Sequence, residues 1–399
     1  MRRLYRKEIS GSVPSSIVSL MIVTLAFLAG LTCAGPASAA DKIPVLNIAL
    51  IHTYSKADPL CYDPYGKSLL NGVEMAWDDF KRQNAPLGFD VRFVKYDLGD
   101  SKMKAMEMMD EADRDGAVAA LGYICSDLAL LGGKRAQELK IPMVTPTATD
   151  DRVADIGDYL FTAIFKNSEQ GEALARYAAL DLKKKKTLVI SAVDCAFCTS
   201  LADSYERSFK RLGGSITGEL KILTSERNFE SVIKEAGSLD YDSVLLANYA
   251  IQIAGIIAEF LKSGKDVVFL GGDSWVWTER FHEIVGDRDF EGYSIAGWVP
   301  EFPTKKSKDF VANYRRRYKE NLVDTAAHSY DAATILFNAI KNAVACDRQH
   351  IKTALYRIGT YHGVSGQHIF NGRNWPKHSF VLLKNTNKEQ KIVRLIEPQ

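Results

Sequence analysis

The chain has 399 residues, 46% of them hydrophobic, and a formal net charge of +2. Residues 1–40 hold four of the 51 basic and one of the 49 acidic residues, so the rest of the chain has a net charge of −1. Such a balance lacks the basic excess that nucleic-acid binding requires. The roughly 359 residues after residue 40 exceed what one hydrophobic core usually supports, which favours two domains.

The N-terminus has the pattern of a cleavable signal peptide. Basic residues lie in Arg2–Lys7, an apolar run covers 17–31, and small residues end the segment at Ala37–Ala40. The apolar run is short for a membrane span. We therefore predict Sec-type export to the periplasm and a mature chain that starts at Ala40 or Asp41.

Beyond the signal, short apolar runs alternate with segments of helical periodicity. The predicted strands are 45–51, 91–96, 118–124, 141–144, 187–193, 215–222, 243–247 and 267–270. The predicted helices are 67–82, 103–114, 128–139, 169–182, 199–212, 229–236, 252–263, 279–285, 310–320 and 326–344. This alternation predicts an α/β protein with two doubly wound parallel-sheet units, one up to about residue 165 and one from about 166.

Hydroxyl residues follow two consecutive predicted strands of the first unit. The strand 118–124 runs into Cys125-Ser126, and the strand 141–144 runs into Thr145–Thr149. Ligands of parallel sheets lie outside the carboxyl ends of the strands, where hydroxyls and free backbone N–H groups bind anions such as a carboxylate. The alternative is that these residues only cap helices and form loops.

The strand ends of the second unit carry an acid and aromatic residues instead. Tyr249 follows the strand 243–247, and Asp273 follows the strand 267–270. A desolvated ammonium group needs an opposite charge, just as a desolvated carboxylate needs donors. Facing each other, the two units would therefore suit a zwitterion.

A Cys195-x-x-Cys198 pair follows the strand 187–193, at the predicted start of a helix. This setting lowers thiol pKa values in disulfide oxidoreductases. A structural disulfide, a redox site and a reduced or metal-bound pair all remain open at this point. We also consider a second disulfide between Cys61 and Cys125, and predict no cofactor and no resident metal.

Together these features resemble the type I periplasmic solute-binding proteins of ABC transporters, in the branched-chain amino acid (Leu/Ile/Val-binding) family. The resemblance covers essentially all of the chain after the signal and rests on the order and spacing of several motifs. Besides the loops above, these are Gly72–Ala76, Glu169-Gln170-Gly171, Phe229 with Asp242, Tyr330–Ala333 and Gly363–Gly366.

The resemblance implies two lobes joined by a hinge. The expected N-terminal lobe comprises 41–165 plus about 295–345, and the expected C-terminal lobe 166–294 plus about 346–399. It further implies that Ser126, Thr147 and Thr149 bind the ligand's α-carboxylate. Tyr249 and Asp273 are implied to bind its ammonium group, and the acid here is Asp where the family often has Glu.

Phe197 stands where the family usually has a tyrosine, and Tyr65 and Trp275 are further candidates for the wall around the ligand's apolar part. The implied function is that of a monomeric, non-enzymatic receptor that delivers an amino acid with an apolar or aromatic side chain to a membrane permease. One alternative is a small carboxylate without an ammonium group, such as an aromatic acid. The distant alternative is a periplasmic thiol oxidoreductase using Cys195 and Cys198.

Overall fold

The computed structural model describes residues 43–54, 65–99, 101–276, 278–320 and 322–398. The predicted signal peptide lies outside these ranges. Within them, no helix has both the length and the apolar composition needed to cross a lipid bilayer.

Five parallel strands form the first sheet: β1 (Val45–His52), β2 (Asp90–Asp97), β3 (Ala119–Leu121), β4 (Met143–Thr145) and β5 (Leu160–Thr162). They lie in the order β2-β1-β3-β4-β5. The four residues Ile48–Ile51 in the middle of β1 have no accessible surface. Such a continuous apolar run is expected of a strand whose sheet is covered on both faces.

The first sheet is flanked by α1 (Tyr65–Asn84), α2 (Lys104–Arg114), α3 (Ser126–Leu139) and α4 (Asp151–Ala154). In α1 the buried residues Leu69, Val73, Ala76 and Phe80 recur every three or four positions and form one apolar face. Gly72 lies on the same helix, where a Cβ atom would stand 2.3 Å from the carbonyl oxygen of Ala326. A larger residue would therefore separate α1 from the segment that contains Ala326.

The second sheet begins with five more parallel strands: β6 (Lys186–Ala192), β7 (Ser215–Ile222), β8 (Ser243–Ala247), β9 (Val268–Gly271) and β10 (Glu291–Ala296). Its helices are α5 (Asn167–Arg176, continued by a π-helical turn at Tyr177–Asp181), α6 (Ala196–Arg211), α7 (Glu230–Ala236), α8 (Ala250–Ser263) and α9 (Glu279–Val285).

The C-terminal part of the chain contributes to both lobes. Its elements are α10 (Lys305–Tyr318), α11 (Asp324–Asn342), α12 (Arg348–Leu355), β11 (Thr360–His362), β12 (Gln367–Ile369), β13 (Lys377–His378), β14 (Phe380–Asn385) and β15 (Gln390–Ile396). Antiparallel β14 and β15 complete the second sheet, in the order β15-β14-β10-β9-β8-β6-β7. Strands β11, β12 and β13 form a small antiparallel sheet.

Apolar residues of α11 and α12 are buried in the first-lobe core with those of α1, whereas Phe380 and Leu382 of β14 belong to the second-lobe core. The range expected for the C-terminal lobe, about 346–399, thus includes α12, which packs in the first-lobe core, as well as β14, which packs in the second-lobe core. The exact division of the chain between the lobes stays a prediction. The chain passes between the two sheets after β5, after β10 and before β14, so three segments connect the lobes.

The predicted α/β class with two parallel-sheet lobes is confirmed. Among the ten parallel strands, β5 and β10 are absent from the predicted elements. Helix α5 is shorter than predicted, because its last turns before β6 are π-helical.

Candidate functional site

A cavity of about 980 Å³ lies between the two lobes. Its walls come from the carboxyl ends of strands in both sheets and from the helices that follow those strands. Among the lining residues are seven that the sequence suggested: Tyr65, Ser126, Thr147, Thr149, Phe197, Tyr249 and Asp273.

The first-lobe wall presents hydroxyls beside the N-terminus of α3. Ser126 is the first residue of this helix, and its hydroxyl accepts a hydrogen bond from the backbone N–H of Asp150 at 3.2 Å. The hydroxyl proton of Ser126 therefore remains able to donate to a ligand. Thr147 donates its hydroxyl to the carbonyl of Ile124 at 2.9 Å, which fixes that side chain across two strand ends.

The N-terminus of α3 has no side-chain cap. Its N-cap residue is Cys125, which makes no capping hydrogen bond, so the first backbone N–H groups of the helix lack this partner. Free N–H groups and the helix dipole both favour an anion at this place. The first-lobe wall is therefore chemically suited to a carboxylate.

The second-lobe wall contains the carboxylate of Asp273. One oxygen accepts a hydrogen bond from the side-chain amide of Gln170 at 3.0 Å, and the Gln170 carbonyl accepts from the Asp273 backbone N–H at 3.0 Å. Gln170 is fully buried and also donates to Asn167, which holds the amide in place. Burial raises the pKa of Asp273 to about 7; the hydrogen bond from Gln170 opposes this effect and the charge of Asp324 adds to it.

Two aromatic rings line the cavity near this carboxylate. Phe197 and Tyr249 are stacked, with ring centroids 6.0 Å apart and planes inclined by 23°. The backbone carbonyl of Phe197 accepts a hydrogen bond from the buried Asn167 amide at 3.0 Å. This pair offers an apolar surface to a ligand's hydrocarbon part.

Trp275 does not line the cavity. It is 4% exposed and packs in the second-lobe core, stacked on Phe290 at 6.2 Å. Its ring occupies space left by Gly271 and Gly292, where Cβ atoms would lie 2.7 and 2.5 Å from ring carbons. Trp275, a candidate for the wall around the ligand, therefore packs in the second-lobe core instead.

Cys195 and Cys198 form a disulfide and are 1% and 0% exposed. Cys195 is the N-cap of α6, and its sulfur accepts a hydrogen bond from the Cys198 backbone N–H at 3.1 Å. A thiol oxidoreductase needs an accessible sulfur, so this burial favours a structural disulfide. Cys125 is disulfide-bonded as well, but Cys61 lies outside the described residues and their pairing stays a prediction. The described ranges hold no cluster of three or more His, Cys, Asp or Glu side chains arranged to bind a metal.

The lobes contact each other beside the cavity. Both carboxylate oxygens of Asp127, on α3, lie 3.2 Å from the backbone N–H of Ala196, on α6. Lys102 approaches the same carboxylate at 3.6 Å and donates to the carbonyl of Asp194 at 3.3 Å. A first-lobe acid thus caps the helix that carries the disulfide in the second lobe.

Asp324 also lines the cavity, although it is not among the residues suggested by the sequence. It is the first residue of α11, and its carboxylate accepts a hydrogen bond from the Thr325 backbone N–H at 2.8 Å. Burial raises the pKa of Asp324 to about 6, against the hydrogen bonds from Thr325. An acid at a helix start resembles an ordinary cap in sequence. Only the packing of α11 against α1 brings it to the cavity.

Several known proteins are similar to this chain. An amino acid binding protein of Pseudomonas aeruginosa is 22% identical over 280 residues, which cover 70% of this chain and 69% of that protein. The branched-chain amino acid transporter substrate binding protein LivJ from Streptococcus pneumoniae, solved in complex with isoleucine, is 22% identical. Its TM-score is 0.77, and the match covers 89% of this chain and 99% of that one.

A solute binding protein of an ABC transporter from R. palustris, solved in complex with benzoate, is 21% identical with a TM-score of 0.76, over 89% of this chain and 97% of that one. At such identities the structures establish the fold, which is that of type I periplasmic binding proteins. The family described as periplasmic binding protein matches residues 61–384. Because this match spans most of its length, the chain belongs to the periplasmic binding protein family.

Proposed function

We propose that this protein is the substrate-binding component of an ABC importer and binds an α-amino acid between its two lobes. The observation that carries the proposal is the polarity of the cavity. Hydroxyls and the uncapped N-terminus of α3 form the wall on one lobe, and the carboxylate of Asp273 forms part of the wall on the other. A zwitterion satisfies both walls at once.

In this proposal Ser126 and Thr149 bind the α-carboxylate with their hydroxyls, and Thr147, whose hydroxyl proton goes to the Ile124 carbonyl, binds it with its backbone N–H. Asp273 with Tyr249 binds the ammonium group. The stacked pair of Phe197 and Tyr249 lies against the hydrocarbon part of the side chain. A ligand that touches both lobes favours their closed arrangement, because its affinity is higher for that state than for the open one.

The family and the N-terminal sequence support export to the periplasm, where the closed receptor would present its ligand to membrane permease subunits. The role proposed for the protein is binding and delivery, and no reaction is assigned to it. The buried disulfide supports this view, since it offers no accessible sulfur for exchange.

A second candidate ligand is a small carboxylate without an ammonium group. It is favoured by the burial of Asp273, which raises the pKa of this carboxyl to about 7, since a protonated carboxyl could donate a hydrogen bond to a neutral oxygen. The benzoate complex of the R. palustris protein shows that the fold accommodates such acids.

Titration calorimetry with matched pairs of ligands tests the proposal. Leucine and phenylalanine are each compared with the deaminated acids 4-methylpentanoate and 3-phenylpropionate. We expect binding of amino acids only, and an affinity about tenfold lower in Ser126→Ala but unchanged in Ser238→Ala, which alters an exposed serine outside the cavity. Binding of the deaminated acids alone would overturn the amino acid assignment in favour of the second candidate.

A further inference from the structure

The cavity contains two carboxylates from opposite lobes. Asp273 lies on the second-lobe wall, and Asp324 lies at the start of α11, which packs in the first-lobe core. The two carboxylates repel each other, and the negative charge of Asp324 therefore adds to the effect of burial in raising the pKa of Asp273. Both side chains are largely buried yet keep some accessible surface, as expected of groups that face a cavity.

Each carboxylate uses only one of its oxygens within the protein. Gln170 donates to Oδ1 of Asp273, and Thr325 donates to Oδ1 of Asp324. Among the described residues, nothing donates to the second oxygen of either group. Neither of these second oxygens is a buried atom that lacks a partner, so both are accessible from the cavity.

The basic residues that line the cavity are Lys67, Arg280, His282 and Arg315, and in the described part of the chain none of them forms an ion pair with Asp273 or Asp324. Lys67 pairs with Glu320, and Arg280 pairs with Glu283 at 2.8 Å. A desolvated carboxylate without a charged partner is unfavourable, so a ligand that supplies positive charge or hydrogen-bond donors here is favoured.

We propose that Asp324 is a second subsite for a cationic group, and that the ligand is an α-amino acid whose side chain ends in an amine. This inference rests on the proposed function, since Asp273 is already assigned to the α-ammonium group. The hydrocarbon stem of such a ligand would lie against Phe197 and Tyr249. The ligand class is therefore that of lysine and ornithine, and a purely apolar side chain leaves Asp324 unpaired.

Matched ligands isolate the second subsite. Norleucine has the carbon chain of lysine without the terminal amine, and norvaline has that of ornithine. In titration calorimetry of the full exported protein at pH 7.5, we expect lysine or ornithine to bind at least about tenfold more tightly than its apolar match. In Asp324→Asn this preference should disappear, while Asp309→Asn, which removes an exposed carboxylate outside the cavity, should retain it.

Proton release gives a second readout that needs no variant. A cation that pairs with Asp324 lowers its pKa, so protons leave the carboxyl on binding. At pH 6, near the pKa of Asp324, lysine should release roughly half a proton more than norleucine. The difference is measured by calorimetry in two buffers of different ionisation enthalpy.

The outcomes separate this inference from the function on which it rests. If norleucine binds at least as tightly as lysine, and norvaline at least as tightly as ornithine, the role of Asp324 is refuted. The proposed receptor function is unaffected by that result. A preference for the amine that survives in Asp324→Asn refutes it as well. If neither amino acids nor carboxylates bind, both the proposed function and the second subsite fall.

Discussion

Replacing Asp273 with asparagine separates the role of this carboxylate in binding from its effect on the folded protein. Asparagine has the same shape and retains the oxygen that accepts from Gln170. What it removes is the charge that burial disfavours. The ligand-free protein should therefore become more stable while ammonium binding is lost.

The size of the effect follows from the pKa of Asp273, which burial raises from an ordinary 3.8 to about 7. A difference of one in pKa corresponds to about 1.4 kcal/mol, so the ionised group disfavours the folded state by about 4 kcal/mol at most. Because the folded-state pKa is raised, this penalty begins as pH rises through 3.8 and is complete above about 7. At pH 5 it should be about 1.7 kcal/mol.

Urea unfolding of the ligand-free protein at pH 8, 6.5 and 5 measures this dependence. We expect Asp273→Asn to be more stable than the unchanged protein, with the gain shrinking as pH falls. Amino acid affinity at pH 8 should fall by about 3 kcal/mol or more, because the ammonium group loses its charged partner. Equal stability at pH 8, or a gain that does not vary with pH, would refute the reasoning about burial.

Three further variants test other parts of the site. Ser126→Ala should lower the affinity for any carboxylate ligand about tenfold, as measured by calorimetry. An affinity no lower than that of Ser238→Ala would show that Ser126 does not bind the ligand. Replacing both Cys195 and Cys198 with serine should lower the free energy of unfolding by about 2 kcal/mol, as expected when a disulfide that closes so short a loop is removed. Ligand affinity should also fall, because Phe197, which lies between the two cysteines, lines the cavity. An unaltered urea midpoint would contradict the effect on stability. Asp127→Asn removes the charge from the contact between the lobes. Ligand affinity should therefore fall several-fold, and small-angle scattering of the liganded protein should show a larger radius of gyration. An unchanged radius and affinity would show that this contact does not stabilise closure.

The sequence was most informative where geometry follows from topology. Parallel strands place their carboxyl ends at one edge of a sheet, so residues after consecutive strands come together without any knowledge of distant packing. Ser126 and Thr147 follow two such strands in the first lobe, and Tyr249 and Asp273 follow two in the second. All four line one cavity.

What the sequence could not indicate depends on contacts between distant segments. Asp324 reaches the cavity only because α11 packs along α1, a contact that spans about two thirds of the chain. Trp275 directly follows strand-end residues of the cavity, yet its ring turns into the core because Gly271 and Gly292 leave room there. The spacing of Trp275 from Asp273 gives no sign of this direction, since it depends on the small size of residues on two strands.

The distribution of charge suggests how binding and closure are linked. Asp127 and Ala196 hold the lobes together beside the cavity, whereas Asp273 and Asp324 bring like charges into the same space from opposite lobes. Without a ligand, the repulsion between these carboxylates opposes the contact between Asp127 and Ala196. A ligand with positive groups converts the repulsion into attraction on both walls, and its interaction energy is available only in the closed state. The same carboxylates that destabilise the ligand-free protein would thus make closure depend on the ligand.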